Sequence, residues 1–213
     1  MITLGIECSS RQGSVALLKD GSLLAEKVWI ADRVRHNVIF KALEALLRET
    51  DVSYDDISLY AVGRGPGSFS GMRMSFAIAQ ALALPDRTEV RAVSSGAALA
   101  LAAAHETGAK QIAVAGDARR GQIWIGFFQT ADTDFVELSK GWNLVPYEEV
   151  ELPEDIPVVS PEAERLENIF PAIGKAQFPL ARDVAGLAVQ QKIPEPLEPL
   201  YMHPPVFIEP KFS

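Results

Sequence analysis

The segment from Gly63 to Gly71, which reads Gly-Arg-Gly-Pro-Gly-Ser-Phe-Ser-Gly, constrains the fold of this chain more than any other. An apolar run from Ile57 to Val62 precedes it and a longer run from Met72 to Leu84 follows it. This order predicts a strand, a tight turn and a helix. Glycine permits positive φ and close backbone approach, and serine caps helix N-termini. The turn either only joins strand to helix or also holds an anion or a partner, and its spacing leaves both readings open.

Three better-known glycine motifs do not fit this turn. A P-loop needs Gly-Lys-Ser/Thr after its first glycines, but the positions at that spacing are Ser68, Ser70 and Met72. A dinucleotide fingerprint would need glycine at Ser68 or Ser70, and a nucleophile elbow would need serine at Phe69. The turn therefore carries none of these three chemistries.

Residues 65–73, GPGSFSGMR, resemble the GPGSF[TS]G[LM]R signature of the TsaB (YeaZ) family. Members of that family are companion proteins in making threonylcarbamoyladenosine beside the tRNA anticodon. The segment Asp117–Trp124 resembles the family's DARRGEVY, and Ala92–Ser95 is similar to its VSS before an alanine-rich helix. The resemblance runs from the first strand to at least Trp124. It marks a signature loop made of Gly65, Pro66, Gly67, Ser68, Phe69 and Gly71.

Length and composition limit the remaining choices. The 213 residues are 48% hydrophobic, enough for one substantial core or two small ones, and we expect two lobes. A net charge of -8 argues against broad nucleic-acid binding. The single cysteine, Cys8, excludes an intramolecular disulfide and fits a reducing compartment, where we expect it to pack in the core. The chain shows no signal peptide and no apolar run of membrane-spanning length, so we expect a soluble, cytoplasmic protein.

The first half predicts alternating elements. Strands are expected at Ile2–Glu7, Gly13–Leu18, Leu23–Trp29, Ile57–Val62 and Glu89–Val93, with a hairpin at Asp20-Gly21. Helices are expected at Arg33–Glu49, Met72–Leu84 and Ser95–His105. Three strands followed by alternating helix and strand suit a ribonuclease-H-like lobe with a mixed sheet. That lobe is the unit of the actin-like ATPase (ASKHA) superfamily, to which the resembled family belongs.

The second half predicts a smaller lobe. Strands at Gln111–Ala115 and Gln122–Gln129 flank a polar turn, Gly116–Gly121. Twelve of the 14 prolines lie from Pro146 onward, so helices there must be short, and Pro194–Pro210 should be an extended strap. We therefore expect an α/β fold of two ribonuclease-H-like lobes, the second reduced, with domains at 1–106 and 107–213.

Glu7 is the first candidate for chemistry, since it ends the first strand, where this fold usually presents a carboxylate to a metal or phosphate. An acid at a strand end is more often a solvated rim residue, and metal-assisted chemistry would need further converging carboxylates. The sequence offers none that can be placed there. The family commonly has DTST where this chain has Glu7-Cys8-Ser9-Ser10, which weakens a nucleotide site further. We predict no catalytic residue and no cofactor.

The histidines His36, His105 and His203 are too scattered for a local metal site. His105-Glu106 begins like a zinc-protease helix, but Ala109 stands where the second histidine is required. The catalytic paralogue TsaD carries two metal-binding histidines four residues apart. In this chain the residue four positions after His36 is Phe40, so the second histidine is absent. We predict no metal.

Two arginines form the tip of the polar turn, Arg119 and Arg120. Arginine forks suit RNA phosphate or a partner carboxylate, but adjacent loop arginines are more often solvated charge.

Two helices of the first lobe carry a surface hypothesis. The helix from Met72 to Leu84 has small alanines that permit close approach, although covering its own sheet must account for most apolar area. The family resemblance implies that this helix and the preceding one form a dimer surface, used with a second copy or with TsaD. We predict a contribution from five residues: Val34, Phe40, Leu47, Arg73 and Ala77.

The resemblance implies a non-catalytic scaffold that binds and activates TsaD, which transfers the threonylcarbamoyl group to tRNA adenosine, with the ATPase TsaE joining the assembly. It also implies a homodimer when the chain is alone and no independent strong tRNA binding. The alternatives are a small ASKHA-type phosphotransferase or ATPase, the peptidase that the superfamily was once labelled as, and a homodimeric module with an unrelated ligand. Missing paired histidines and the lack of a visible nucleophile-base set argue against the enzymes.

Overall fold

The computed structural model describes residues 1–30, 38–130, 136–151, 155–171, 173–191 and 194–203. Five strands form the first sheet: β1 Ile2–Glu7, β2 Gln12–Lys19, β3 Ser22–Ile30, β4 Leu59–Gly63 and β5 Glu89–Val93. Their order across the sheet is β3-β2-β1-β4-β5. The first three strands run antiparallel, and β4 and β5 add in parallel to β1. This is the mixed sheet expected for a ribonuclease-H-like lobe.

The second sheet repeats most of that arrangement. Its strands are β6 Gln111–Arg119, β7 Gln122–Thr130, β8 Val136–Pro146 and β9 Val158–Val159, in the order β8-β7-β6-β9. Strands β6, β7 and β8 run antiparallel, and β9 pairs in parallel with β6. The second sheet therefore matches the first four strands of the first, with β9 cut to two residues. This confirms a reduced second lobe.

Five α-helices accompany the sheets in the described part of the chain: α1 Val38–Thr50, α2 Phe69–Ala83, α3 Ser95–Thr107, α4 Ala163–Leu166 and α5 Ala181–Gln190. Serine caps begin α2 and α3, since Ser68 Oγ accepts from Gly71 N and Ser94 Oγ accepts from Ala97 N. Gly108, at φ 69°, ends α3 with a left-handed cap. The short α4 and α5 agree with the expectation for a proline-rich end.

Three apolar clusters hold the layers together. Helices α1 and α2 cover one face of the first sheet through residues such as Leu43 and Phe76. Helices α3 and α5 lie between the two sheets, where Leu99, Trp124 and Val184 are buried. A third cluster, which includes Leu166, covers the far face of the second sheet.

Helix α5 returns the chain to the first sheet. Ser14 Oγ accepts a hydrogen bond of 2.8 Å from Ala181 N, and a Cβ at Gly5 would collide with Ala181 O. Glycine at this point of β1 is therefore needed for the helix N-terminus to reach the sheet. Strands β1–β5 lie before the predicted domain boundary at residues 106 and 107, and β6–β9 lie after it. Helix α5 belongs to the second segment but packs on the first sheet, so the boundary stays a prediction.

One predicted turn needs correction, one strand is missing from the prediction, and one predicted helix begins outside the described residues. Strand β6 continues to Arg119, so residues 116–119 are not part of the turn, because Asp117 pairs with Ile123 in the ladder. Strand β8 was not predicted at all. The predicted helix start at Arg33 falls in residues 31–37, outside the described residues. Cys8 is buried, as expected, and burial raises the pKa of its thiol to about 12.

The described residues include no helix both long and apolar enough to cross a bilayer.

We expect Asp183→Asn to stabilise the protein at pH 7. Burial raises the pKa of Asp183 to about 6, opposed by Arg182 and assisted by Glu26, and Asp183 Oδ2 is buried without a hydrogen-bond partner among the described residues. A folded-state pKa above the usual 3.8 means that stability falls as pH rises through that window. The full shift corresponds to about 3 kcal/mol. The helix N-terminus favours the charged form, so we expect a gain of about 1 to 2 kcal/mol.

Urea unfolding of both proteins from pH 4 to pH 7 measures this effect. Between pH 4 and pH 7 the free energy of unfolding should fall less in the variant than in the parent. Asp86→Asn, at an exposed turn after α2, controls for the loss of one negative charge. A variant that is less stable than the parent at pH 7, or that has the same pH profile, contradicts the expectation.

Candidate functional site

The signature loop joins β4 to α2 and lies directly on the connection between β1 and β2. Ser68 N donates to Ser9 O at 2.6 Å. A Cβ at Gly67 would collide with Ser9 O, and one at Gly71 would collide with Cys8 O. Gly65 has φ 98°, and its peptide bond to Pro66 is cis. The glycines are therefore required by close backbone packing within the protein itself.

Glu7 supports this loop from below. Its side chain is completely buried; Oε1 accepts from Ser9 N at 2.5 Å, and Oε2 accepts from the Ser95 hydroxyl at 2.6 Å. Ser95 Oγ in turn accepts from Gly65 N at 3.0 Å. A Cβ at Gly63 would collide with the Glu7 carboxylate. The chain of contacts ties the end of β1 to the signature loop and to the start of α3.

The expectation that Glu7 is a solvated rim residue is therefore wrong. Burial raises the pKa of Glu7, while hydrogen bonds from Ser9 and Ser95 favour its charged form. Both carboxylate oxygens already have partners inside the protein.

Residues 194–203 form the described part of the strap, which Arg64 fastens to the first lobe. Arg64 Nε donates to Glu198 O at 3.1 Å, and a terminal nitrogen of its guanidinium contacts Glu195 Oε2 at 3.2 Å. Glu195 Oε1 accepts from Ser94 N, and Leu200 N donates to Arg64 O at 2.7 Å. Arg64 is 8% exposed, so these are largely desolvated charge-assisted contacts.

The strap then reaches the second lobe. His203 Nε2 lies 2.8 Å from Ala118 O, next to the turn between β6 and β7. Tyr201 packs on Phe69 of the signature loop, with ring centroids 5.1 Å apart. Leu200, Tyr201, Met202 and His203 therefore form one wall of the space between the lobes.

That space is an open cleft of about 1160 Å³. The signature loop and the turn after β1 line one side, and the β6–β7 turn and α4 line the other. The cleft is large enough to admit a small molecule, and its lining is strongly charged.

Asp117 organises the charges on the second-lobe side. Its Oδ1 accepts from Arg119 N at 2.7 Å and from the Tyr147 hydroxyl at 3.0 Å. Its Oδ2 contacts the guanidinium groups of Arg119 and Arg165 at 2.8 and 3.2 Å. Burial alone would raise the pKa of Asp117, but these hydrogen bonds and charges outweigh it and lower the pKa. Asp117 is thus an anchored, ionised acceptor.

Glu162 lies beside it and behaves differently. Burial raises the pKa of Glu162, and the hydrogen bond from Asp117 N to Glu162 Oε2, at 2.8 Å, only partly offsets this. The described residues contain no group of three or more histidine, cysteine, aspartate or glutamate side chains arranged to hold a metal ion. His105 is exposed in the last turn of α3, and His36 lies outside the described residues.

The predicted surface residues lie on α1 and α2, apart from Val34, which falls outside the described residues. Phe40 is 58% exposed, and Arg73 and Ala77 are also exposed. Leu47 is half-buried and packs against the core beneath α1.

Sequence reasoning missed the residues that act across long chain separations. Arg64 stands inside the glycine turn, and its partner Glu195 is 131 residues away. Ser95 belongs to the VSS-like segment, which was the only signal available for its position. Tyr201 carried no signal that it would lie against Phe69.

The comparisons with known proteins agree on one group. A family model described as TsaD: tRNA N6-adenosine threonylcarbamoyltransferase matches residues 30–140. The tRNA threonylcarbamoyladenosine biosynthesis protein TsaB of Bacillus subtilis is 33% identical over 129 residues, 61% of this chain and 56% of that protein. The protein of that name from Escherichia coli K12 is 34% identical over 129 residues, 61% and 55% of the two chains. The match thus spans just over half the length of these curated relatives.

A solved structure of YeaZ from Pseudomonas aeruginosa superimposes with a TM-score of 0.81. It is 27% identical and covers 94% of this chain and 99% of that one. Two stacked ribonuclease-H-like sheets with a glycine turn at the cleft between them place the chain in the actin-like (ASKHA) fold class. Within that class, the chain belongs to the TsaB (YeaZ) family, in the group that the family model describes.

We expect Ser95→Ala to lower the free energy of unfolding by about 2 to 4 kcal/mol. The change leaves Glu7 Oε2 and Gly65 N without partners in a buried site, and each such loss costs about 1 to 3 kcal/mol. Urea unfolding measures the difference. Ser70→Ala, at an exposed serine in the first turn of α2, is the control and should change stability by less than about 0.5 kcal/mol. Equal stabilities of the two variants would contradict the role given to Ser95.

We expect Arg64→Ala to release the strap. Hydrogen exchange at the Leu200 amide should speed up by at least about tenfold, because the side-chain bonds that hold residues 195 and 198 are lost. Arg64→Lys keeps the charge but not the forked geometry, so it should give an intermediate rate. Exchange at β6 amides reports on the rest of the fold and should stay unchanged. If the Leu200 amide is protected equally in all three proteins, Arg64 does not hold the strap in place.

Proposed function

We propose that the chain is a non-catalytic partner that binds and activates TsaD in threonylcarbamoyl transfer to the tRNA adenosine beside the anticodon. TsaE joins this assembly, which works in the cytoplasm. The names of the relatives support a role in threonylcarbamoyladenosine biosynthesis. The match of residues 30–140 to a model of the transferase family supports a partner of related fold.

The observation that carries the proposal is the exposed apolar surface of α1 and α2. Phe40 on α1 is 58% exposed, Leu84 just after α2 is 76% exposed, and Met74 is 39% exposed. Exposed apolar side chains of this size on two helices that cover the same face of a sheet are typical of an interaction surface. Because Ala77 is small, the backbone of a partner helix can approach closely.

The exposed face of α2 supports the same surface. Phe69, Arg73, Ala77, Ala81 and Leu84 follow one another at helical spacing and are all exposed. A surface with apolar residues along one helix and an arginine at its end can pair with a second copy through a two-fold axis. We therefore propose a homodimer when the chain is alone, replaced by the complex with TsaD when that protein is present. Leu47 contributes by supporting α1, since it is half-buried.

The non-catalytic part of the proposal is supported by how the carboxylates are used. Both oxygens of Glu7 bind groups of the protein, and Asp117 is held by Arg119, Arg165 and Tyr147. A general base needs a free lone pair directed at its substrate. The size of the cleft still favours one alternative, a small phosphotransferase or ATPase of the same fold.

Co-purification with TsaD of the same organism, followed by a tRNA modification assay with each component omitted in turn, tests the proposal. We expect a stable complex, modification that depends on this chain, and no ATP hydrolysis by the chain alone. ATP turnover by the isolated chain would favour the phosphotransferase. Modification that proceeds without the chain, with no complex formed, would refute the partner role.

We expect Ala77→Glu to weaken both the homodimer and the complex with TsaD at least about tenfold, because it places a carboxylate in a desolvated interface. Sedimentation velocity measures the first and a pull-down titration the second. Gln190→Glu, at an exposed position at the end of α5, adds the same charge on another surface and should change neither. If Ala77→Glu leaves both associations intact, the surface is elsewhere.

A further inference from the structure

The cleft carries more arginine than its carboxylates neutralise. On the second-lobe side, Asp117 pairs with Arg119 and Arg165. Across the cleft, Arg11 pairs with Glu164 at 2.5 Å. These pairs, with Glu162 at 3.7 Å from Arg165, account for the three carboxylates that line the cleft.

Two lining arginines remain without an ion pair among the residues that the structure describes, Arg73 and Arg120. Arg120 stands at the tip of the β6–β7 turn, with φ 56°, and is exposed. Arg73 lies at the opposite side, with its guanidinium carbon 5.2 Å from the ring centre of Phe69. The cleft is therefore locally positive in a chain whose net charge is -8.

Aromatic rings stand at the mouth of the same cleft. Phe69 and Tyr201 are 57% and 45% exposed, and their ring planes are tilted by 33° at a centroid distance of 5.1 Å. The two rings belong to segments separated by 132 positions in the chain. The strap holds Tyr201 there through the bond from Leu200 N to Arg64 O.

We infer that the mouth of the cleft binds single-stranded RNA, with one base stacked on Tyr201 or Phe69 and the adjacent phosphates met by Arg73 and Arg120. Positive grooves with aromatic platforms are the arrangement by which proteins hold single strands. Arginine suits this task because its planar fork both binds phosphate and stacks on bases. An acidic peptide would use the arginines but not the rings, and duplex RNA keeps its bases stacked within the helix.

The affinity is modest, because only two arginines are unneutralised. For single strands the slope of log affinity against log salt is about 0.7 per phosphate contact, so a slope of about 1.4 is expected. This agrees with the sequence-based expectation of no strong independent tRNA binding. The inference rests on the proposed function only where it identifies the RNA as the substrate of the assembly. The contact itself involves this chain alone.

Fluorescence anisotropy of the full chain with a fluorescein-labelled oligoadenylate of about ten nucleotides tests the contact. Tyr201→Ala should weaken binding about tenfold, and Tyr201→Phe should retain it, because the ring supplies the stacking. Arg120→Ala should weaken binding about threefold and reduce the salt slope by about 0.7. Arg87→Ala, at an exposed turn between α2 and β5, removes the same charge elsewhere and should change neither quantity.

Competition by unlabelled ligands decides between RNA and its rivals. Binding of an oligoadenylate–oligouridylate duplex as tight as that of the single strand would overturn the inference, because stacking would then play no part. Displacement by AMP at the same concentration as the oligonucleotide would also overturn it, in favour of a mononucleotide site. If Tyr201→Ala and Arg120→Ala both bind the oligonucleotide as tightly as the parent chain does, any contact with RNA lies elsewhere.

The same variants separate this inference from the proposed function. If Arg120→Ala co-purifies with TsaD but loses oligonucleotide affinity, Arg120 serves the RNA contact and not the TsaD surface, although Phe69 and Arg73 belong to both, and the inference stands. If the chain fails to bind TsaD yet binds the oligonucleotide through Tyr201 and Arg120, the partner role fails and the RNA contact survives. If the complex forms and the parent chain does not bind the oligonucleotide, the inference alone fails.

Discussion

A buried carboxylate determines how the first lobe is put together. Glu7 lies below the signature loop with both oxygens hydrogen-bonded, and the Ser95 hydroxyl relays that contact to the Gly65 amide. Burying a carboxylate is costly unless its lone pairs are satisfied, so the three segments that meet it must take fixed positions. Gly63 follows from the same constraint, since any side chain there would displace the carboxylate. The loop is thus shaped from inside the protein, and its outer side is left to face the cleft.

Much of the fold was predictable because local patterns agree with the tertiary structure. Alternating and continuous apolar runs gave β1–β5 to within about two residues, and serine before an apolar run gave the start of α3. The turn after β6 was misjudged because polar residues such as Asp117 read as loop, whereas here its side chain is satisfied by Tyr147 and two arginines while its backbone stays in the ladder. Local pattern carries no information about such distant partners.

The candidate site shows the same limit more sharply. The signature loop was recognisable from nine consecutive residues, yet its neighbours come from β1, α3 and the strap. Glu7 was expected at the rim because most acidic side chains are exposed, and its burial becomes tolerable only when the distant Ser95 joins the neighbouring Ser9 in satisfying the carboxylate. Arg64 and Glu195 meet across 131 positions. Sequence reasoning could find the loop, but it could not find the residues that hold it.

The return of α5 to the first sheet has a consequence for how the chain acquires its structure. Residues 181–190 cover the face of β1, β2 and β4 that points toward the second sheet, so that face stays uncovered until residue 190 has left the ribosome. Contacts of such long sequence separation form late, and an incompletely covered apolar sheet is prone to aggregation while it waits. The two lobes therefore mature together, and the order of synthesis makes α5 the element that completes the first sheet.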